Sequence, residues 1–241
     1  AQSTDEMTNL SLSLRQKLSE NFEIYLPTVY KKLTSKLDGT VKYLLKLSDG
    51  NIIETVVMDY HHGKSICISS QVGCRMGCTF CASTLKGLVR NLTPYEVEGQ
   101  ILRAQKDLGV KISNIVIMGI GEPLDNYDNI IAFLKNINDE DGQGIGYRHI
   151  TLSTCGLTEK IYNLADEMMP INLAISLHAP TDTARQELMP VAKAYSLSKI
   201  MDACDYYFDK THRRITFEYA LVKGKNSSSA DAKALAKLLH G

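Results

Sequence analysis

"SICISSQVGCRMGCTFCAS", residues 65–83, joins a short apolar stretch to three cysteines within eight positions. Residues 65–70 predict a buried strand, and Cys74, Cys78 and Cys81 follow it with the spacing C-x3-C-x2-C. Loops that follow the strands of a β/α array build active sites at the carboxyl edge of the sheet. The stretch therefore predicts the first strand of such an array and a site at the end of that strand.

The strand-then-helix pattern repeats along the rest of the chain. Apolar strand candidates lie at 65–70, 114–119, 149–154, 172–177 and 215–222, with helical patterns between and after them at 93–108, 127–137, 158–168, 196–209 and 229–240. Five successive strand–helix units predict parallel strands joined by right-handed crossovers. The predicted fold class is therefore α/β.

The first 60 residues have a different pattern. Residues 1–37 favour helices, interrupted at Pro27 and continued by a second short helix. Residues 38–60 are rich in apolar and β-branched residues around Asp49-Gly50, which predicts a β-hairpin. We therefore predict an N-terminal accessory segment, residues 1–60, and a core, residues 61–241.

The composition limits the classes of protein to consider. The chain has 241 residues, 44% hydrophobic and 22% charged, with a formal net charge of zero, as in ordinary globular proteins. No apolar run approaches the roughly 20 residues of a membrane helix, and the start lacks a secretory pattern. Four of the six cysteines lie between residues 67 and 81, which favours metal or redox chemistry in a reducing, cytoplasmic setting. The zero net charge neither indicates nor excludes nucleic acid.

The cysteine triplet suits one kind of centre best. Thiolates select zinc or iron–sulfur clusters, a structural zinc takes four ligands, and a four-iron cluster normally takes four thiolates. Three thiolates leave one iron open to bind a small molecule. Incidentally clustered free cysteines, or zinc with a distant histidine, remain the open alternatives.

Polar residues also end the later strand candidates. "GIGEP", residues 119–123, follows the second candidate; Leu124 stands where a dinucleotide-binding motif needs its third glycine, so that interpretation is weak. "TLSTCG", residues 151–156, and "SLHAPTD", residues 176–182, end the next two. Hydroxyl and imidazole groups at successive strand ends could converge on one ligand.

Five strings in order resemble one family: "SSQVGCRMGCTFCAS", "G-x-x-RNLT", "GIGEPLDN", "ITLSTCG" and "AISLHAPTDTARQELMPV". They resemble the RlmN type of radical S-adenosylmethionine (SAM) methyltransferases, which act on carbon 2 of adenine in 23S ribosomal RNA and some tRNAs. The resemblance runs from about residue 8 to residue 241. It implies a partial (β/α)6 radical-SAM barrel, with five of the six β/α units present here, behind a small N-terminal domain.

The resemblance also implies cofactors and site residues. A [4Fe–4S] cluster would be held by Cys74, Cys78 and Cys81. The expected contacts to S-adenosylmethionine are Gly121, Glu122, Ser153, Ser176, Leu177 and His178.

Two catalytic roles rest on the resemblance alone. Glu54 stands where the family has its general base, and Cys67 matches a cysteine that pairs transiently, as a disulfide, with a methyl-carrying cysteine. Cys155 and Cys204 match no family role, so we expect them to be a packing residue and a helix-core residue.

The family's methyl-carrying cysteine lies near the C-terminus, after a sixth strand that bears a cofactor-contacting asparagine, and the sequence stops before both. The N-terminal domain is also shorter than the family's. We therefore expect a chain truncated at both ends, which holds a cluster and binds S-adenosylmethionine without completing methyl transfer.

The expected partners are 23S rRNA and an external electron donor, with tRNA left open; we expect no membrane and a monomer. One alternative function is carbon-8 methylation, as in the related Cfr type. The other is a non-catalytic iron–sulfur or zinc module that binds RNA.

Overall fold

One eight-stranded sheet organises the chain in the computed structural model, which describes residues 3–61 and 63–239. The strands in these residues are β1 (Thr28–Thr34), β2 (Val41–Lys46), β3 (Ile52–Tyr60), β4 (Gly63–Cys67), β5 (Gln71–Gly73), β6 (Leu88–Asn91), β7 (Ile112–Ile117), β8 (Ile150–Thr154), β9 (Asn172–Ser176) and β10 (Ile215–Glu218). The large sheet has the order β1-β2-β3-β4-β7-β8-β9-β10, and β5 pairs with β6 separately. Pairing is antiparallel from β1 to β4 and parallel from β4 to β10.

The helices follow the strands. They are α1 (Leu12–Asn21), α2 (Pro94–Leu108), α3 (Tyr127–Asn138), α4 (Thr158–Asp166), α5 (Asp182–Leu188), α6 (Leu197–Thr211) and α7 (Ser229–Leu239). A capping box between Thr93 and Glu96 starts α2, and Gly109, with a φ of +66°, ends it. None of the helices in the described residues is long and apolar enough to cross a membrane.

The two faces of the sheet differ in chemistry. Ile66, Ile115 and Ile150 are register partners on one face and are fully buried, in one core cluster with Ile101 of α2 and Phe133 of α3. The opposite face, here called the polar face, carries residues at the alternate positions, including Thr151, Ser153, Asn172, Ser176 and Glu218. The polar face therefore offers the hydrogen-bonding side chains from which a site can be built.

Most of the predicted elements are confirmed. The five strand–helix units and the mostly parallel α/β sheet are present. So is the hairpin at Asp49-Gly50, where the Asp49 carboxylate accepts a hydrogen bond from the Asn51 amide and Gly50 has a φ of +88°. The barrel curvature and the division at residue 60 stay predictions; β3 and β4 pair within one sheet. The predicted helix end at residue 240 lies outside the described residues.

The second short helix predicted after Pro27 is wrong, because Thr28–Thr34 forms β1. Its threonines, Val29 and Tyr30 favour an extended chain, and β2 supplies the hydrogen-bonding partner. Lys31 and Lys32 resemble a charged helix face in sequence. The short strands β5 and β6 and the helix α5 were not predicted.

Candidate active site

A small two-stranded sheet closes the cysteine loop. β5 and β6 bring Gly73 against Gly87, so that a Cβ on Gly73 would lie 2.0 Å from the Gly87 carbonyl oxygen; Gly73 also has a φ of +76°. The Cys74 amide then donates to that same carbonyl at 3.1 Å, and the Cys81 amide donates to the Cys78 carbonyl at 3.1 Å. The loop is therefore fixed at its base and turned so that its thiols gather at the end of β4.

The three cysteines line one cleft of about 490 Å³. The predicted cofactor contacts that line the same cleft are Gly121, Glu122, Ser153, Ser176 and His178. The cleft thus unites residues from the cysteine loop with the carboxyl ends of β7, β8 and β9, as parallel strands allow.

Burial raises the pKa of Cys74, and it raises the pKa of Cys78 to about 11, with the neighbouring thiols adding to the shift. A bound cation would favour the thiolate forms of these two cysteines. Zinc would draw its sulfur ligands to about 2.3 Å from one point, but no three potential ligand side chains in the described residues converge on a single ion. Three thiols are the ligand type of an iron–sulfur cluster, in which each thiolate binds a separate iron.

Glu122 is a carboxylate held inside the protein. It is 4% exposed, and burial raises its pKa. Oε1 accepts a hydrogen bond from the Leu124 amide at 3.1 Å, and Oε2 accepts one from the Cys155 amide at 2.8 Å. Beside it, Gly121 has a φ of +109°, and a Cβ there would lie 2.6 Å from Gln71 Cβ. The turn therefore requires glycine and presents backbone and carboxylate together at the cleft wall.

A polar corner lies at the ends of three neighbouring strands. The Ser153 hydroxyl donates to Glu218 Oε2 at 2.6 Å, and the Ser176 hydroxyl donates to the same oxygen at 3.3 Å. Ser176 and Glu218 are register partners in β9 and β10. A carboxylate held this way can accept hydrogen bonds from ligand hydroxyls as well.

His178 is fixed in one tautomer. The Ala220 amide donates to Nδ1 at 3.0 Å, so the neutral ring carries its proton on Nε2. Burial lowers the pKa of His178, which favours that neutral form. Phe80 packs edge-on against the ring with centroids 4.9 Å apart, and both rings line the cleft. The histidine can therefore donate one directed hydrogen bond.

Comparison with known proteins identifies the family of this chain. The sequence model of the Radical SAM superfamily matches residues 68–236. The chain belongs to the radical SAM superfamily. It is 60% identical over 237 residues to the "Probable dual-specificity RNA methyltransferase RlmN" of Clostridium novyi (strain NT), covering 98% of this chain and 69% of the relative. It is 62% identical to the protein of that name from Alkaliphilus oremlandii (strain OhILAs), again covering 98% and 69%.

A solved structure shares the fold. The crystal structure of a radical SAM methyltransferase from Sphaerobacter thermophilus is 41% identical, with a TM-score of 0.94, covering 100% of this chain and 72% of that one. Membership of the RlmN family implies a [4Fe–4S] cluster and S-adenosylmethionine as cofactors. The residues present fit both groups: three thiols, the ligand type of iron–sulfur clusters, line one cleft, and Gly121 keeps a close approach open in the same cleft.

Three predicted site residues do not line the cleft, though all are described. Leu177 is fully buried between Ser176 and His178. Glu54 of β3 is half-exposed, with its carboxylate 2.8 Å from Lys42 Nζ. Cys67 of β4 pairs with Val56 of β3. Val56 lies two residues from Glu54 in the same strand, so Cys67 and Glu54 share the polar face. All six cysteines, each in a described position, are free thiols, so the expected disulfide at Cys67 is not supported.

The structure adds residues that sequence reasoning missed. Glu218 ends β10, the fifth strand of the array. The expectation that polar residues at strand ends converge on one ligand, made for Ser153 and Ser176, therefore applies to Glu218 as well. Cys155 is buried, as predicted, but it also lines the cleft and its amide holds Glu122. Cys204 is buried in α6 as predicted.

Arg185 of α5 is the second missed feature. It is fully buried, and its guanidinium donates to the carbonyl oxygens of Cys155, Ser176 and Leu177 at 2.6, 3.1 and 3.1 Å. It thereby fastens the ends of β8 and β9, which carry the polar corner. No local sequence pattern marks this role.

Proposed function

We propose that this chain is the core of an RNA methyltransferase that modifies carbon 2 of an adenine in 23S ribosomal RNA and in tRNA. The observation that carries the proposal is the cleft, in which three thiols face a buried Gly121–Glu122 turn and the polar strand ends. The relatives' name, a dual-specificity RNA methyltransferase, supports RNA as the substrate and two RNA classes as targets. A cytoplasmic location and an external electron donor are part of the proposal.

The chemistry of the target explains the cofactors. Carbon 2 of adenine is not a nucleophile, so direct displacement of a methyl group from a sulfonium fails. The thiols of Cys74, Cys78 and Cys81 would hold the cluster. When bound, it would supply one-electron reduction of S-adenosylmethionine, the radical chemistry that a non-nucleophilic carbon requires.

Glu122 is proposed to bind the ammonium of the cofactor's methionine end. Each of its oxygens already accepts one backbone N–H, and a carboxylate oxygen has a second lone pair to offer. An ammonium would offset the burial that raises the pKa of Glu122. Cys155 and Leu124 orient the carboxylate through their amides.

The polar corner is proposed to bind the nucleoside end. Ser153 and Ser176 share the carboxylate of Glu218, so hydroxyl groups of a ribose would find both donors and an acceptor there. His178 offers the Nε2 proton as a further donor. Leu177, with its side chain in the core, is left with its backbone as the only group for a cofactor contact.

Glu54 is proposed as the general base and Cys67 as an auxiliary thiol, acting with a methylated cysteine that is not among the six of this chain. Their shared position on the polar face supports the pair. Glu54 also forms an ion pair with Lys42, whose Nζ lies 2.8 Å from its carboxylate.

The test is to compare RNA from source cells with the gene intact and deleted, by mass spectrometry of nucleosides. Loss of 2-methyladenosine on deletion is the expected result. Loss of 8-methyladenosine instead would favour the Cfr-type alternative. If both nucleosides are unchanged, and the reconstituted chain binds RNA but cleaves no S-adenosylmethionine, a non-catalytic binding module is the better description.

A further inference from the structure

The polar face continues past the cleft to the amino ends of the same strands. Two further cavities lie there, of about 430 and 510 Å³, and they share Thr151 and Asn172. We call the two together the amino-edge groove. Its lining includes Asn114, Arg148, Thr151, Asn172, Arg213 and Arg214.

The groove collects positive charge from two distant segments of the chain. Arg148 precedes β8, and Arg213 and Arg214 precede β10. In the described part of the chain, neither cavity is lined by an acidic side chain, and no carboxylate forms an ion pair with these three arginines. Among the described residues, a chain of zero net charge thus has a cationic strip whose arginines form no ion pair with a carboxylate.

One neutral side-chain amide, that of Asn172, links two of these arginines. Asn172 Nδ2 donates to the Arg148 carbonyl oxygen at 2.9 Å, and the Arg213 guanidinium donates to Asn172 Oδ1. Arg213 Nε is buried without a partner among the described residues. Arginine donors in a fixed fork match phosphate oxygens, so the strip suits the sugar–phosphate backbone of a nucleic acid.

The groove leads toward the cleft. Met118 lines both the cleft and the first groove cavity. Asn172 and Ser176 lie at opposite ends of β9, four residues apart, which is about 13 Å along the strand. One nucleotide turned out of its stack can therefore extend along the polar face from the groove toward the cleft.

We propose that the amino-edge groove binds the phosphates of RNA on either side of the target adenine, and that the base enters the cleft along the polar face from the amino ends of the strands. This inference rests on the proposed function, for which it names the docking surface. Arg148 and Arg214, both exposed, contact phosphates, and Arg213 positions Asn172 between them.

The test compares Arg148→Gln/Arg214→Gln with Lys233→Gln/Lys237→Gln, a control that removes two exposed charges from α7. Binding of a fluorescent, adenine-containing RNA hairpin to the reconstituted chain is measured by anisotropy over a range of salt. The groove variant should bind about tenfold more weakly at low salt. Its plot of log Kd against log salt should be shallower by about 1.4, because two phosphates of single-stranded RNA are no longer neutralised. The control should match wild type.

A parallel measurement separates this inference from the proposed function. Cleavage of S-adenosylmethionine without RNA should be equal in wild type and in both variants. Suppose that the groove variant binds RNA with wild-type affinity and salt dependence while cleavage is intact. The amino-edge groove is then not the RNA-binding surface, and the methyltransferase proposal stands. If wild type cleaves S-adenosylmethionine yet binds no RNA, both are overturned.

Discussion

The two ends of the polar face form an instructive pair. At the carboxyl ends of β8 and β9, Ser153 and Ser176 belong to a cleft with a buried carboxyl group, Glu122, and directed hydrogen bonds. At the amino ends, Thr151 and Asn172 of the same strands line a groove that also carries the exposed Arg148 and Arg214. The first end suits a small ligand held at fixed distances, whereas the second suits a long, charged polymer. Substitutions at the two ends should therefore affect different ligands.

The largest effect is expected from Cys78→Ala. Removing one of three thiols at the cleft should abolish cluster assembly, because too few ligands remain. Iron and sulfide content after anaerobic reconstitution should fall to background. The control is Cys204→Ala, which alters a cysteine buried in α6 and should retain the cluster; equal iron in the two variants would refute the assignment of the triplet.

Arg185→Met should strongly destabilise the cleft end. It leaves the carbonyl oxygens of Cys155 and Ser176 without this donor, at about 1–3 kcal/mol for each group left unsatisfied, whereas the Leu177 carbonyl still accepts from the Ala179 amide. Urea unfolding should show a loss of at least about 2 kcal/mol. Arg103→Met, which removes a single hydrogen bond to the Pro27 carbonyl, should cost about half as much; equal losses would contradict the fastening role.

Glu122→Gln should change how stability depends on pH. Burial raises the pKa of Glu122 in the folded, iron-free protein, so the folded state binds this proton more tightly than the unfolded chain does. That stabilisation is complete below the unfolded carboxyl pKa of about 4.3 and is lost as pH rises through the raised value, at up to about 1.4 kcal/mol per pH unit.

Urea unfolding across pH checks this. The wild-type advantage over Glu122→Gln should shrink as pH rises, whatever constant offset the amide adds. Glu187→Gln, which alters an exposed carboxylate on α5, is the control. A wild-type-minus-variant difference that stays flat with pH would show that Glu122 is not the buried acid described here.

Glu218→Gln should have the smallest effect of this set. It weakens the acceptor shared by Ser153 and Ser176, so binding of S-adenosylmethionine to the reconstituted chain should weaken by about tenfold, near 1.4 kcal/mol. RNA binding at the amino-edge groove should not change. Equilibrium dialysis measures binding of S-adenosylmethionine and anisotropy measures binding of RNA, with Glu140→Gln as the exposed control. If Glu218→Gln weakens both equally, the two ends of the polar face do not bind different ligands.

The same contrast explains what the sequence could predict. The cysteine loop, the Gly121–Glu122 turn and the Asp49-Gly50 hairpin are each encoded by contiguous residues. Glu218, Arg185 and the arginines of the amino-edge groove act through neighbours distant in sequence, so only strand register brings them together. The helix predicted in place of β1 is wrong for a related reason. The lysines of this segment are also typical of an exposed helix, and the pairing with β2 that makes it a strand involves residues further along the chain.

The central claim is that the carboxyl-end cleft binds S-adenosylmethionine at an open iron of a cluster held by Cys74, Cys78 and Cys81. Electron–nuclear double resonance on the reduced, reconstituted chain with carboxylate-¹⁷O-labelled S-adenosylmethionine tests it directly. We expect an ¹⁷O coupling to the cluster in wild type and, equally, in Arg148→Gln/Arg214→Gln. A fully assembled cluster without that coupling at saturating cofactor would contradict the claim.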